Sequence, residues 1–97
     1  MELLYFVRPG CPYCRQADTI IAELIREHPE YEQVCVHKVD ETKEVAFASE
    51  FDYWYVPSFF QNQNKLYEAD PAENVDSVRN KLEVVFKEAF EMMNLRK

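Results

Sequence analysis

Leu3-Leu4-Tyr5-Phe6-Val7-Arg8-Pro9-Gly10-Cys11-Pro12-Tyr13-Cys14 runs from an uninterrupted apolar stretch through a proline-glycine turn into two cysteines separated by two residues. Leu3 to Val7 is rich in β formers and shows no polar alternation, the pattern of a central strand covered on both faces. From Cys14 onward the period changes. Ala17, Ile20, Ile21, Leu24 and Ile25 recur at three and four and make one apolar helical stripe. His28-Pro29 closes that helix, because a residue before proline is pushed out of the helical region. The cysteine pair therefore stands where strand gives way to helix, and the Cys11 sulfur meets the positive end of the helix dipole and its unpaired N–H groups.

Working outward, Val34 to Val39 reads as a second strand, and Asp40 caps a helix that runs to about Glu50 with Val45, Ala48 and Phe51 inward. Strand, helix, strand, helix in alternation argues for parallel pairing through right-handed crossovers. After Pro57, Ser58-Phe59-Phe60-Gln61, a polar Asn62-Gln63-Asn64 turn and Lys65-Leu66-Tyr67-Glu68 form a β-hairpin. Asp70-Pro71-Ala72-Glu73 then offers an N-cap, a first-turn proline and an acidic third position. The last stripe is Val75, Val78, Leu82, Val85, Phe86, Ala89, Phe90 and Met93, with Arg96-Lys97 complementing the negative helix end. The order is βαβαββα: an α/β chain with a small mixed four-stranded sheet flanked by helices, as a single domain over residues 1–97. No repeat, low-complexity stretch or linker interrupts it.

With 47% apolar and 14% aromatic residues the chain can bury a core, which argues against disorder, and its three cysteines are too few for a disulfide-stapled miniature. Eleven basic against eighteen acidic residues leave a formal charge of −7 with no basic patch, so neither nucleic acid nor an anionic membrane surface is an expected partner. The acidic Glu2 and the short apolar run behind it lack the basic flank and length of a signal peptide, and no run approaches the ~20 residues of a membrane span. A cytoplasmic, monomeric protein is expected. Glycine occurs once, as Gly10, directly before Cys11.

In a reducing compartment a paired cysteine motif is catalytic or metal-binding rather than structural. A thiolate at Cys11 is stabilised by the helix end, with Arg8 and Arg15 adding positive charge if they turn towards it, and the thiolate is the nucleophile. Pro12 starts the helix without wasting a donor. Cys14, one turn on, can close a disulfide with Cys11, so the implied chemistry is attack by Cys11 on a substrate disulfide and resolution of the mixed disulfide by Cys14. Zinc would need two further ligands, and Cys35, His28 and His37 form no second knuckle, so no metal ligand is assigned. A metal or iron-sulfur carrier built on Cys11 from two subunits is the reading from a different class.

Tyr5 to Cys14 resembles glutaredoxin, in which the same Cys-Pro-Tyr-Cys site follows a strand and a basic residue. The resemblance implies Cys11 as nucleophile, Cys14 as resolver and Tyr13 as a wall of the thiol-substrate groove. Val56-Pro57, about forty residues on, resembles the proline that is cis and faces the cysteines in thioredoxins and glutaredoxins. There the backbone of Val56 would be free to pair with an extended substrate. Where glutaredoxins usually carry Gly-Gly and an acidic residue to hold a glutathione carboxylate, this chain has Tyr67-Glu68-Ala69-Asp70. Bulk and two carboxylates there should hinder an anionic tripeptide. Ala48 to Phe60 instead resembles the thioredoxin pattern, although Pro-Tyr replaces Gly-Pro between the cysteines. Tyr5 also stands where thioredoxins keep a buried Asp.

The fold implied is thioredoxin-like, and the function a thiol-disulfide oxidoreductase acting on disulfide-containing proteins. No cofactor is expected beyond the Cys11-Cys14 dithiol. A reductase or glutathione would be the electron donor, and a glutathione-dependent glutaredoxin is the alternative enzyme. Trp54, within the triplet Tyr53-Trp54-Tyr55, is a candidate substrate platform, with at least one ring of the triplet folded onto the core. Cys35 is expected as a small buried hydrophobe, His37 as structural, and Glu41, Glu44 and Glu50 as a solvated helix face.

Overall fold

The apolar run at the amino end becomes β1 (Glu2–Val7), an inner strand of a four-stranded sheet in the computed structural model, which describes residues 2–95. Arg96-Lys97, assigned above to the helix dipole, lie outside the described residues. β1 leads into α1 (Pro12–Glu27) and, after a 3₁₀ turn at Pro29–Gln33, into β2 (Cys35–Asp40), which pairs with β1 in parallel. A single helical turn, α2 (Val45–Ala48), precedes the hairpin of β3 (Ser58–Gln61) and β4 (Asn64–Glu68). α3 (Val75–Leu95) is the last element of the described residues, and the strand order is β2-β1-β3-β4 with β3 antiparallel to both neighbours.

Both faces of β1 are covered, so its apolar residues need no alternation. Leu3, Tyr5 and Val7 face α1 and α3, where Ala17, Ile20, Leu24, Leu82 and Phe86 pack with Phe59 of β3. Phe6 faces the other way, against Val39, Phe60 and Ala48, with Phe51 and Tyr53 closing over it. The Tyr5 and Phe59 rings stack at 4.4 Å across the β1–β3 pair. Gly10 has φ +76°, between Pro9 and a Cys11 N–H that donates to the Arg8 carbonyl at 3.3 Å. These are the marks of a type II turn, whose third position favours glycine.

Two helix starts differ from the sequence expectation for one reason. Asp40 closes a local turn, accepting from the Thr42 N–H at 2.9 Å and hydroxyl at 2.6 Å, and the helix shrinks to one turn with Glu44 as its uncapped start. Val45, expected inward, is exposed, whereas Ala48 is buried and Phe51 half-buried. Asp70 likewise accepts from the Ala72 N–H at 2.9 Å, and the true cap of α3 is Asn74, which takes the Ser77 N–H at 2.9 Å. The later start leaves Val75 exposed while Val78, Leu82, Val85, Phe86 and Ala89 are buried.

Cys35 corrects a third expectation, because it is exposed. β2 is an edge strand, and the short α2 covers only the end of it that holds Val39, leaving Cys35, Val36, His37 and Lys38 at the surface. Cys35 and His37 both lie against Glu2, whose carboxylate is 3.7 Å from Sγ and 3.6 Å from Nδ1. Among the described residues no helix is long and apolar enough to cross a membrane.

Candidate functional site

Cys11 is itself the N-cap of α1, with extended backbone and Pro12 in the first helical position. Its sulfur accepts the Cys14 N–H at 3.3 Å, the place a serine or aspartate oxygen takes at an ordinary cap. A first-turn N–H is thus directed at the reactive atom, where it stabilises negative charge. Cys14 projects inward, 5% exposed, and Cys11 is half-buried at the rim of a cleft of about 440 Å³. Burial, first, and the neighbouring Cys11 sulfur push the Cys14 thiol up to about 12. One sulfur is outside and reachable, and the other waits behind it.

The opposite wall is the segment that leads into β3. The Val56–Pro57 bond is cis, Pro57 is buried, and the Val56 carbonyl stands 3.8 Å from Cys11 Sγ. Tyr13 is exposed on the helix side, and Trp54 and Tyr55 on the loop side, Trp54 with 87% of its surface free. Tyr53 is the member of the triplet that folds inward, onto Phe6 and Phe60. The structure therefore brings Cys11, Pro12, Tyr13, Cys14, Val56 and Pro57 together, with Trp54 two residues from the carbonyl that faces Cys11.

Arg8 does not aim its charge at the sulfur. Its guanidinium is paired with Glu41, Nε donating to Oε2 at 2.7 Å, and the same carboxylate accepts the Tyr53 hydroxyl at 2.6 Å. Glu41 is consequently no part of a solvated helix face: it ties the β1–α1 turn, the end of β2 and the Tyr53 loop to one another, and its N–H donates to the Val7 carbonyl at 3.0 Å. Burial, then this hydrogen bond, raises the Tyr53 hydroxyl well above the ordinary phenol range.

Two further polar residues, Asp18 and Lys38, were not singled out in the sequence, and a third, Glu68, was read there only as a hindrance to an anionic tripeptide. Asp18 lies one helical turn beyond Cys14 and lines the same cleft, together with Lys38 from β2. Lys38 Nζ reaches both Asp18 oxygens, at 3.0 and 3.2 Å. Tyr5 donates its hydroxyl to Asp18 at 2.8 Å and lies 3.2 Å from the Cys14 carbonyl, and burial followed by this bond raises the phenol far above its usual range. The spacing Cys14 to Asp18 could have revealed the pair, since residues four apart share a helix face. Glu68, the third, holds the loop before Pro57 and carries no such signal.

The sequence matches the family model for Thioredoxin over residues 1–84. The chain belongs to the thioredoxin family. Two solved structures share the fold of this thioredoxin-family domain. One, described as the structure of a malarial protein, is 20% identical, with a TM-score of 0.56 over 86% of this chain and 93% of that one. The other is thioredoxin 1 from the thermophilic eubacterium Thermosipho africanus TCF52B, 13% identical, with a TM-score of 0.55 over 92% of this chain and 98% of that one. No curated protein matches the sequence. Membership places the chain in a family of thiol-disulfide oxidoreductases, with Cys11 and Cys14 close together at the start of α1.

Proposed function

We propose that this thioredoxin-family domain reduces disulfide bonds in proteins, with Cys11 attacking and Cys14 resolving. The observation that carries the reading is the asymmetry of the two sulfurs, one half-exposed and capping α1, the other buried. The Cys11 thiolate attacks one substrate sulfur, the substrate S–S bond breaks, and the leaving sulfur departs as a thiolate that takes a proton from water. The Cys14 thiol must then lose its proton, for which the Asp18 carboxylate is the acceptor within the cleft. Its thiolate attacks Cys11 Sγ, the mixed disulfide breaks, the second substrate thiolate leaves, and a Cys11–Cys14 disulfide remains. Two electrons have passed to the substrate, and a reductase or glutathione restores the dithiol.

Tyr13, Val56 and Trp54 are assigned to binding. An extended substrate segment pairs with the Val56 backbone, and Trp54 offers an apolar face to a neighbouring side chain. Protein substrates are favoured over glutathione mixed disulfides because the sequence reads Tyr67-Glu68-Ala69-Asp70, with bulk and two carboxylates, where glutaredoxins usually carry a glycine pair. A cytoplasmic site of action suits a domain that must be kept reduced. The test compares insulin reduction, driven by dithiothreitol or a thioredoxin reductase system, with turnover of a glutathionylated small disulfide by glutathione alone. Insulin reduction is the expected strong activity. Strong glutathione turnover with negligible insulin reduction would reverse the substrate assignment in favour of a glutaredoxin, the activity its Cys-Pro-Tyr-Cys motif resembles.

A further inference from the structure

Between Phe51 and Ser58 the chain has no helix or strand bonds to hold it, yet it carries two largely exposed aromatic side chains, Trp54 and Tyr55, directly before the Val56 carbonyl that faces Cys11. Side-chain packing cannot fix a tryptophan that is 87% exposed, so its pose must be set by the backbone. One carboxylate does this. Glu68, the last residue of β4, directs a single oxygen at two consecutive N–H groups, accepting from Trp54 at 2.6 Å and from Tyr55 at 2.9 Å. Its other oxygen takes Lys65 Nζ at 2.7 Å, and its side chain is only 18% exposed.

Successive N–H groups converging on one point form an anion-binding concavity, and here the anion is supplied by the chain itself. The hairpin register pairs Ser58 with Glu68, so the carboxylate is anchored on regular structure next to the first residue of β3. From the other side, the Ser58 hydroxyl donates to the Tyr55 carbonyl at 2.6 Å. Burial alone would raise Glu68, but Lys65 and the two loop N–H groups hold it below its ordinary value, so it stays charged at neutral pH.

We infer that Glu68 is a positioning residue for substrate recognition, fixing the loop so that Trp54 and Tyr55 are presented to the polypeptide that flanks a substrate disulfide at Cys11. The inference rests on the reading of the chain as a protein-disulfide reductase. Glu68 touches neither sulfur, so it acts on what binds beside the disulfide and leaves the exchange chemistry at Cys11 as it was.

Trp54 is the only tryptophan in the chain, so its fluorescence reports the loop without any assay of activity. In Glu68→Ala the anisotropy decay of Trp54 should gain a fast segmental component that wild type lacks. In single-turnover oxidation of the reduced protein, the insulin concentration giving half-saturation should rise about tenfold, the effect of having to order one or two side chains on binding. The second-order rate with hydroxyethyl disulfide, too small to reach the loop, should not change. Glu68→Gln, which keeps an oxygen acceptor for both N–H groups, should stay within about twofold of wild type. Far-ultraviolet circular dichroism confirms that each variant is folded. The inference is overturned if the Trp54 decay is unaltered in Glu68→Ala, if insulin saturation is unaltered despite a freed Trp54, or if both disulfides suffer equally. Should wild type oxidise with hydroxyethyl disulfide but not with insulin, the protein-substrate reading and the recognition role fall together. Should it react with neither, the oxidoreductase reading fails by itself, and the Trp54 decay still decides whether Glu68 holds the loop.

Discussion

The two walls around Cys11 are built by different means. On one side α1 places the nucleophile, its capping N–H and the buried Cys14 through the repeating geometry of a helix, with Gly10 turning the chain into it. On the other, the segment from Phe51 to Pro57 has no repeating geometry and is held by two carboxylates, Glu41 through Tyr53 and Glu68 through two N–H groups. On the proposed function, the helix wall governs the chemistry and the loop wall governs what reaches it. Substitutions on the first should change the rate of sulfur exchange with any disulfide, whereas substitutions on the second should discriminate between large and small substrates.

The largest effect belongs to the helix wall. Cys11→Ser should abolish disulfide reduction with every substrate, and retained turnover would move the nucleophile elsewhere. Next is Asp18→Asn. Its charge opposes a Cys14 thiolate, but its lone pairs accept the proton, and the second effect is expected to dominate. Resolution of a preformed mixed disulfide should slow by about 10²-fold at neutral pH, the low end for general-base catalysis, and the deficit should shrink as pH rises and hydroxide takes the proton of the Cys14 thiol, which burial pushes up. Faster resolution would show that the charge outweighs proton acceptance. Glu68→Ala is smaller and confined to protein substrates, and if it slowed resolution as Asp18→Asn does, the division between the walls would collapse.

Tyr53→Phe sharpens the comparison from the loop side by deleting only the bond to Glu41. Thermal unfolding should show a loss of about 1 kcal/mol, with insulin saturation shifted less than in Glu68→Ala. The smallest effect is acid sensitivity. Glu73 accepts from Tyr67 at 2.9 Å, Ser77 at 2.7 Å and Lys81 at 2.7 Å; burial alone would raise it, but these bonds hold it below its ordinary value of 4.5, as those to Glu68 do there. A carboxyl lowered in the folded state lends stability that is complete above its unfolded value and is lost as pH falls through its folded value. Urea midpoints should thus hold steady at neutral pH and fall below about pH 4.5, and Glu73→Gln should flatten that fall.

The same division explains what the sequence made legible. Period and capping dictated β1, α1 and the hairpin, and with them the place of Cys11, Pro12 and Cys14, because those elements are set by neighbours a few residues away. Asp40 and Asp70 misled, since an aspartate that can cap a helix can equally close a turn, and only the Thr42 hydroxyl and the later Asn74 cap decide between them. Cys35 misled because its strand is at the edge of the sheet and the one-turn α2 does not reach the start of it. Glu41 and Glu68 were read as charge alone, since their partners Arg8, Tyr53, Trp54 and Tyr55 come from segments distant in the chain. Asp18 was legible in principle, one helical turn from Cys14, but an aspartate on a helix is usually only solvated and nothing local marks this one as half-buried.

The most direct test is to mix reduced Cys14→Ser protein with a disulfide-bonded substrate and map the trapped adduct by peptide mass analysis. The account predicts a stable mixed disulfide to Cys11, none to Cys35, and no comparable adduct from Cys11→Ser. An adduct on Cys14 in Cys11→Ser, with none on Cys11 in Cys14→Ser, would reverse the roles and contradict it.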